Sequence, residues 1–439
     1  MHIGYILYNL LMPAANGAAR LLAPFNEKIR EGLEGRKGLR ERWIEKRSAL
    51  DREKRLIWFH VSSVGEFEQA KPVMNLLAER YGSIEMALTF YSPSGMNYYE
   101  RFDRSKRIGD VKFVDYLPVD TLGNMRFCLD TLKPSGIVYV KFDLWPNLIA
   151  EAARRNIPQV LISGTLSPGS KRLSGTVRGF YTDIYSKLAA VAAISDEDRE
   201  RFGHGFDEGT GPEIITAGDT RFDQVCRRID TSTVTLPEPL LRDTRRFIIG
   251  GSTWPKDEEV VIPAFARLFS EHPDIGLVVA PHEPTPARLA EIDAALDSAG
   301  LERTLLSETG GLDSIETPVV VADGIGYLAE LYRAGYLAYV GGSFTTGVHN
   351  VMEPAVLGLP VFFGPRIDNS YEARKLVELG SGSIVNRADD FETGARTLLD
   401  DPALRDRLGR TGGDFIRNHC GAAIRCIDLI EKHLPLVTE

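Results

Sequence analysis

Hydrophobic positions along the chain alternate between two rhythms. Short aliphatic and β-branched runs, "LIWFHVS" (56–62), "IEMALTF" (84–90), "VKFVDYL" (111–117), "GIVYVKF" (136–142), "QVLIS" (159–163) and "LAAVAAIS" (188–195), are separated by longer segments with helical spacing. That order predicts parallel strands joined by helices. The polar, proline-bearing stretch "RRIDTSTVTLPEPLLRD" interrupts it and predicts a linker over 226–245. The strand pattern then resumes with "RFIIGGS" (246–252), "IGLVVAP" (275–281), "PVVVAD" (318–323), "YLAYVGGS" (336–343) and "LPVFFGP" (359–365). Two similar α/β domains are expected, with ligands at the carboxyl ends of the strands, in the cleft they face.

Ahead of the first strand the pattern is helical. Ile3, Ile6, Leu7, Leu10, Leu11, Ala14, Ala18, Leu21, Leu22 and Phe25 recur on one side, with Asn9, Asn16 and Arg20 interrupting the apolar run. This is too broken for a span of about 20 apolar residues, and it lacks the cationic start of a secretory signal. Residues 1–55 hold 12 Lys/Arg against 7 Asp/Glu, a surplus of +5 in a chain whose net charge is −9. Two readings fit: a helix lying on a membrane with the flank "RKGLRERWIEKR" against anionic headgroups, or a helix packed on its own domain.

Composition narrows the chemistry. The 439 residues, 43% hydrophobic and 26% charged, have room for two or three folded domains. Four cysteines without a CxxC pair and eight histidines without HExxH suggest reduced thiols and no zinc site.

In "FHVSSVGEFEQAKPV" (59–73) a buried strand turns into a helix. Ser63-Val-Gly-Glu66 fits a capping box, in which Glu66 returns a hydrogen bond to the Ser63 backbone. The same place, beside the cleft, suits a general base, with Gly65 letting a substrate approach the backbone. Spacing leaves both roles open. His60, inside the apolar strand, reads as a satisfied core histidine.

A second cluster, "VGGSFTTGVHNVMEPAVLGLPVFFGP" (340–365), runs strand, glycine-rich loop and helix, with His349, Asn350 and Glu353 in the opening turn. Exposed amides there suit a nucleotide phosphate, and the carboxylate suits ribose hydroxyls. Ser252 and Thr253 either cap the next helix or touch the same phosphate. Neither GxxxxGK[ST] nor a complete GxGxxG is present, which disfavours a P-loop NTPase or a dinucleotide enzyme.

The segments "HVSSVGE" (60–66), "FDLWPNLI" (142–149), "GDTRFD" (218–223), "GGSTW" (250–254) and "GGS…HNVMEPAVLGLPVFFGP" (341–365) stand in order over nearly the whole chain. Together they resemble the Kdo transferases, which attach 3-deoxy-D-manno-octulosonic acid to the lipid A precursor in lipopolysaccharide synthesis. The resemblance implies a B-type glycosyltransferase: α/β, two Rossmann-like domains facing a central cleft, an acceptor domain over 51–225, and a CMP-sugar donor domain over 246–412. A helix over 413–439 would return towards the first domain. Glu66 would be the base that deprotonates an acceptor hydroxyl, which attacks the anomeric carbon of Kdo with inversion as CMP leaves. Donor contacts implied are Ser252, Thr253, His282, Ile325, Gly326, Gly342, Ser343, His349, Asn350 and Glu353. Acceptor contacts implied are Gly65, Ser92, Lys141 and Asp143, with Arg36 and Lys37 reaching acceptor phosphates. No metal, other cofactor or nucleic acid is expected. Residues 1–50 would associate with the cytoplasmic leaflet of the bacterial inner membrane, where the acceptor lies.

Two positions depart from the family pattern. A methionine–glutamate pair ahead of Leu-Trp-Pro-Asn is replaced by Val140, Lys141, Phe142 and Asp143, and a Pro-Arg-His-Pro loop reads Pro281, His282, Glu283, Pro284. Lys141 would bind a substrate anion or pair with Glu66 or the surroundings of Asp143; His282 would donate more weakly to phosphate than arginine. A different B-type nucleotide-sugar transferase, separable by its preference for CMP or UDP, and a non-catalytic membrane-bound relative are the alternatives.

Overall fold

The computed structural model describes residues 3–101, 111–170, 172, 175–207, 209–231, 235–311 and 314–436. Residues 1 and 2 of the N-terminal segment, 232–234 of the expected linker and 437–439 of the expected C-terminal helix lie outside the described residues.

The apolar runs become strands because the central ones are buried from both sides. In the first sheet these are β1 (Arg55–Val61), β2 (Ile84–Phe90), β3 (Val111–Tyr116), β4 (Gly136–Val140), β5 (Gln159–Gly164), β6 (Ala190–Ala193) and β7 (Glu213–Thr216). They lie parallel in the order β3-β2-β1-β4-β5-β6-β7. Every residue of β2, β4 and β5 is buried, as a parallel sheet covered by helices requires. The second sheet comprises β8 (Arg246–Thr253), β9 (Ile275–Pro281), β10 (Arg303–Leu305), β11 (Val319–Val321), β12 (Gly335–Val340), β13 (Val361–Phe363) and β14 (Gly382–Ile384). Its order is β10-β11-β9-β8-β12-β13-β14, again parallel. Strand order reverses between β1 and β4 and between β8 and β12, the switch points where ligands collect in such sheets.

The chain divides into two units, Met1–Gln224 with His419–Glu439, and Val225–Asn418. The helix Pro402–Asn418 runs through residue 412 without a break, and the terminal helix Ala422–His433 buries Ala423, Cys426, Ile427 and Ile430 in the core of the first unit. The 226–245 stretch holds more structure than a linker: the helix Thr220–Thr231 continues into it and Glu238–Arg242 forms another, because Val225, Ile229, Leu236 and Leu240 are buried. Cys128 and Cys426 are free and buried, whereas Cys226 and Cys420 are disulfide-bonded, contrary to the expectation of four reduced thiols.

The N-terminal segment is part of the first unit. Trp43, on the helix Leu39–Ser48, is wholly buried against Trp58 and Phe113, and its indole donates to the Tyr116 carbonyl at 3.2 Å. Arg42 and Lys46 pair with Asp115 at 3.0 and 2.9 Å, so much of the basic flank serves the fold rather than headgroups. On the helix Ile3–Leu22 it is the polar and aromatic side that docks: Tyr5 packs on Phe180, and Asn9 accepts from Asn147 at 2.8 Å. The apolar side is bare, with Ile3, Leu10 and Leu21 at 68%, 70% and 77% exposure. Among the described residues no helix is long and apolar enough to cross a membrane.

Candidate active site

At the carboxyl end of β1 the chain turns through Ser62 and Ser63 into the helix Val64–Arg80. Glu66, nearly buried, reaches back to this turn. Its Oε2 accepts from the amides of Ser62 (2.9 Å) and Ser63 (2.7 Å) and from the Ser63 hydroxyl (2.9 Å). Oε1 takes no hydrogen bond among the described residues. One oxygen therefore anchors the helix start, the capping role, while the other takes no part in it. Gly65 adjoins it, and a Cβ there would meet only the Ser63 hydroxyl, at 3.9 Å, so this face of the turn is open.

The neighbouring strand ends are tied to this turn. Tyr91 and Ser92, after β2, donate their amides to Val61 and Ser62 at 3.1 and 2.9 Å, and Ser92 Oγ contacts Ser94 Oγ and the Gly95 amide. After β4, Lys141 adopts φ 67°, a left-handed conformation costly for a side-chain-bearing residue and held here by bonds to Ile162 and Thr165. Its ammonium lies 5.1 Å over the Phe142 ring and forms no ion pair among the described residues, with Glu66 or otherwise. Asp143 accepts from Ser62 Oγ and lies 3.3 Å from His60 Nε2. Burial pushes the Asp143 carboxyl up, but the neighbouring His60, Ser62 and Trp145 outweigh it and hold its pKa below the ordinary value.

His60 is a wholly buried, partnered core residue: Nδ1 meets Thr89 Oγ1 at 2.9 Å and Nε2 accepts from Trp145 at 2.8 Å. Trp145 thus does more than close the β4 turn. It also stacks on Tyr91, 4.3 Å between centroids. Glu66, Gly65, Ser92, Lys141 and Asp143 gather on adjacent strand ends, those of β2, β1 and β4.

Arg36 and Lys37 are placed differently. The Arg36 guanidinium donates to the carbonyls of Gly32 (2.8 Å), Tyr91 (2.7 Å) and Leu117 (2.9 Å) and stacks on Tyr91 and Tyr116. Burial pulls its pKa down. With three of five N–H groups spent on backbone, it braces the loops beside the site. Lys37 is exposed. Asp120, which motif reading passed over, accepts from the amides of Asn147 and Leu148 at 2.9 and 3.0 Å and, by its side chain, meets Tyr8 of the N-terminal helix. Burial pushes its carboxyl up to about 6.

In the second unit the expected donor residues lie at or after the ends of β11, β9, β8 and β12, four adjacent strands. A stack forms their centre: Trp254, His282 and His349 lie ring on ring, with centroids 5.1 and 4.5 Å apart. Trp254 Nε1 donates to His349 Nε2 at 3.1 Å, which in a neutral imidazole leaves the proton on Nδ1. Burial, then the neighbouring His282, lowers the His349 pKa and keeps the ring neutral.

Asp257 holds the glycine loop. Its Oδ2 accepts from the amides of Trp254 and Gly342, both at 2.9 Å, and Oδ1 from the Tyr339 hydroxyl at 2.9 Å. The Gly342 amide is thereby spent, and Gly342 is needed for conformation: φ is 95°, and a Cβ would lie 2.6 Å from His349. Thr253 donates to Glu258 at 2.8 Å, which fits the internal reading of that hydroxyl, while Ser252, at φ 51°, leads into the turn. Ser343 Oγ is buried without a hydrogen-bond partner among the described residues. The helix after the loop, Met352–Val356, has only five residues, and Asn350 Oδ1 takes its Met352 amide at 3.0 Å. The amides of Asn350 and Val351 have no partner among the described residues. Glu353 pairs with Arg228 at 2.7 Å. Ile325, 81% exposed, and Gly326, at φ 96° with open space around it, form the loop after β11.

Sequence reading missed Trp254, Asp257 and Arg228 as parts of this site. Asp257 had a local signal, a carboxylate in the first turn behind Pro255. Arg228, 125 positions from Glu353, had none.

Residues 37–224 match the family model described as 3-deoxy-D-manno-octulosonic-acid transferase (kdotransferase). The 3-deoxy-D-manno-octulosonic acid transferase of Haemophilus influenzae is 27% identical over 387 residues, 86% of this chain and 87% of that protein. That of Bordetella pertussis is 29% identical over 394 residues, covering 86% and 87%. Among solved structures, UDP-GlcNAc 2-epimerase from Neisseria meningitidis bound to UDP-GlcNAc aligns with TM-score 0.57 at 13% identity over 87% of this chain and 100% of that one, a likeness of fold. With two seven-stranded parallel α/β units, relatives aligned over most of its length and the family's own model across residues 37–224, the chain is similar to the Kdo transferases.

Proposed function

We propose that the protein transfers Kdo from CMP-Kdo to a lipid A precursor. The observation that carries the reading is the divided carboxylate of Glu66: Oε2 fixed by the turn, Oε1 unclaimed at the edge where the acceptor groups converge. Oε1 takes the proton of an acceptor sugar hydroxyl as its oxygen bonds to the anomeric carbon of Kdo. The bond from that carbon to the CMP phosphate breaks on the opposite face, giving inversion and free CMP. Because the transition state is oxocarbenium-like, positioning and stabilisation of the departing phosphate dominate. His349 Nδ1–H and the free amides of Asn350 and Val351 supply donors for that charge, with Ile325 and Gly326 beside the cytosine ring of the donor.

The chemistry calls for no metal or other cofactor on this reading. The bare apolar side of the N-terminal helix would rest on the cytoplasmic leaflet of the inner membrane, bringing the enzyme to its acyl-chain-bearing acceptor.

The test is incubation of the purified protein, and of Glu66→Gln, with a lipid A precursor and freshly generated CMP-Kdo, followed by mass spectrometry of the lipid. Kdo added by the wild type alone supports the reading. No Kdo added by a wild type that binds CMP removes it.

A further inference from the structure

Positive charge surrounds a cavity of about 140 Å³ between the helices Arg178–Tyr185 and Asp196–Gly203. Arg172, Arg178, Thr182, Tyr185, Arg201 and His204 line it. That is far more room than the roughly 10–15 Å³ one water needs. Arg178, Thr182 and Tyr185, at i, i+4 and i+7, share one face of their helix, while Phe180 of the same helix packs on Tyr5.

The polar groups here are short of partners. Among the described residues Arg172 and Arg178 form no ion pair; their guanidiniums donate to the carbonyls of Phe142 and His204 at 2.9 and 2.7 Å. Arg201 meets Asp198 through Nη2 at 3.0 Å, but its Nε is buried with no hydrogen bond among the described residues, and the Tyr185 hydroxyl, which faces the Arg172 guanidinium, has no acceptor among them. Asp198 is already occupied by Ser195, Thr165 and the Leu166 amide. Folded proteins leave few buried donors unpaired, so these two mark the place of a missing acceptor. Three arginines around a small space match a tetrahedral oxyanion, since the planar fork of guanidinium suits phosphate.

The cavity adjoins the acceptor edge. Arg172 lies 5.1 Å over the Phe142 ring, the ring that Lys141 also covers. We propose that the cavity is the subsite for a phosphate group borne by the acceptor, the task that Arg36, spent on backbone carbonyls, does not perform. The proposal rests on the acceptor reading above, but its readout is binding, so it stands or falls without sugar transfer.

Phosphorus NMR of the full-length protein titrated with inorganic phosphate, without nucleotide or lipid, tests the cavity. Arg178→Gln and Arg201→Gln should each weaken phosphate binding roughly ten- to hundredfold. Arg201→Gln strips a partner from buried Asp198 and risks the fold; Arg178 is exposed, so its variant keeps the test valid. In a second arm, equilibrium binding of a lipid A precursor in micelles, with and without its phosphates, is measured without CMP-Kdo. The wild type should prefer the phosphorylated lipid, inorganic phosphate should compete, and Arg178→Gln should lose the preference. Equal phosphate affinity in all three proteins overturns the subsite. Phosphate that binds without displacing the lipid overturns its assignment to the acceptor.

Discussion

Ser63 donates two hydrogen bonds, from its amide at 2.7 Å and its hydroxyl at 2.9 Å, to one oxygen of Glu66, Oε2. The other oxygen is spared. Glutamine keeps an oxygen for these donors but loses the basic one, so Glu66→Gln should melt near the wild type while turnover falls on the order of 10²–10⁴. Glu66→Ala removes the cap as well and should cost about 1 kcal/mol of stability besides. Thermal melts beside the lipid assay separate the two effects; undiminished turnover in Glu66→Gln would reduce the residue to a cap.

Asp120 links pH to stability. Its carboxyl is raised by burial to about 6, above the value of roughly 3.9 in an unfolded chain. For a group raised in the folded state, the stabilisation is complete below the unfolded pKa and is lost as pH rises through the folded one. Between about pH 4 and 6 the wild type should therefore lose this contribution, and Asp120→Asn should not. Chemical denaturation at several pH values reads the difference, and parallel curves for the two proteins would contradict it.

Removing Asp257 should unfasten the glycine loop. Asp257→Ala orphans the amides of Trp254 and Gly342 and the Tyr339 hydroxyl, at about 1–3 kcal/mol for each buried group left unpaired. Both the melting temperature and CMP affinity should drop. Calorimetry with CMP that returned wild-type affinity would mean that the loop does not serve the nucleotide.

Glu353 and Arg228 give a contrast. If Glu353 accepts from the ribose, Glu353→Ala should weaken CMP roughly ten- to hundredfold, whereas Arg228→Ala, which spares the carboxylate, should leave it far closer to wild type. Equal losses in the two variants would assign the pair to structure alone.

Chelation is expected to change nothing. Exhaustive treatment with EDTA should leave turnover intact, and recovery of lost activity by a divalent cation would put a metal in the mechanism.

The two sheets, their parallel sense and the positions of Glu66, His282 and His349 at strand ends were legible in the sequence, because a buried parallel strand is written as an unbroken apolar run and its exit as glycine, serine and polar residues. His60 was legible for the same reason, lying inside such a run. The short edge strands β7, β10 and β14 carried too few apolar residues to declare themselves, and the helices over 220–231 and 238–242 were hidden under a polar, proline-bearing composition.

Partnership was decided only by tertiary structure. Nothing local shows that Arg36 is spent on three carbonyls, that Asp257 reaches the Gly342 amide 85 positions away, or that Arg172, Arg178 and Arg201 meet around one cavity. Backbone pattern follows from which residues avoid water, a property each short segment carries by itself. A charged group's role depends on which distant donor or acceptor desolvates beside it, and folding alone supplies that.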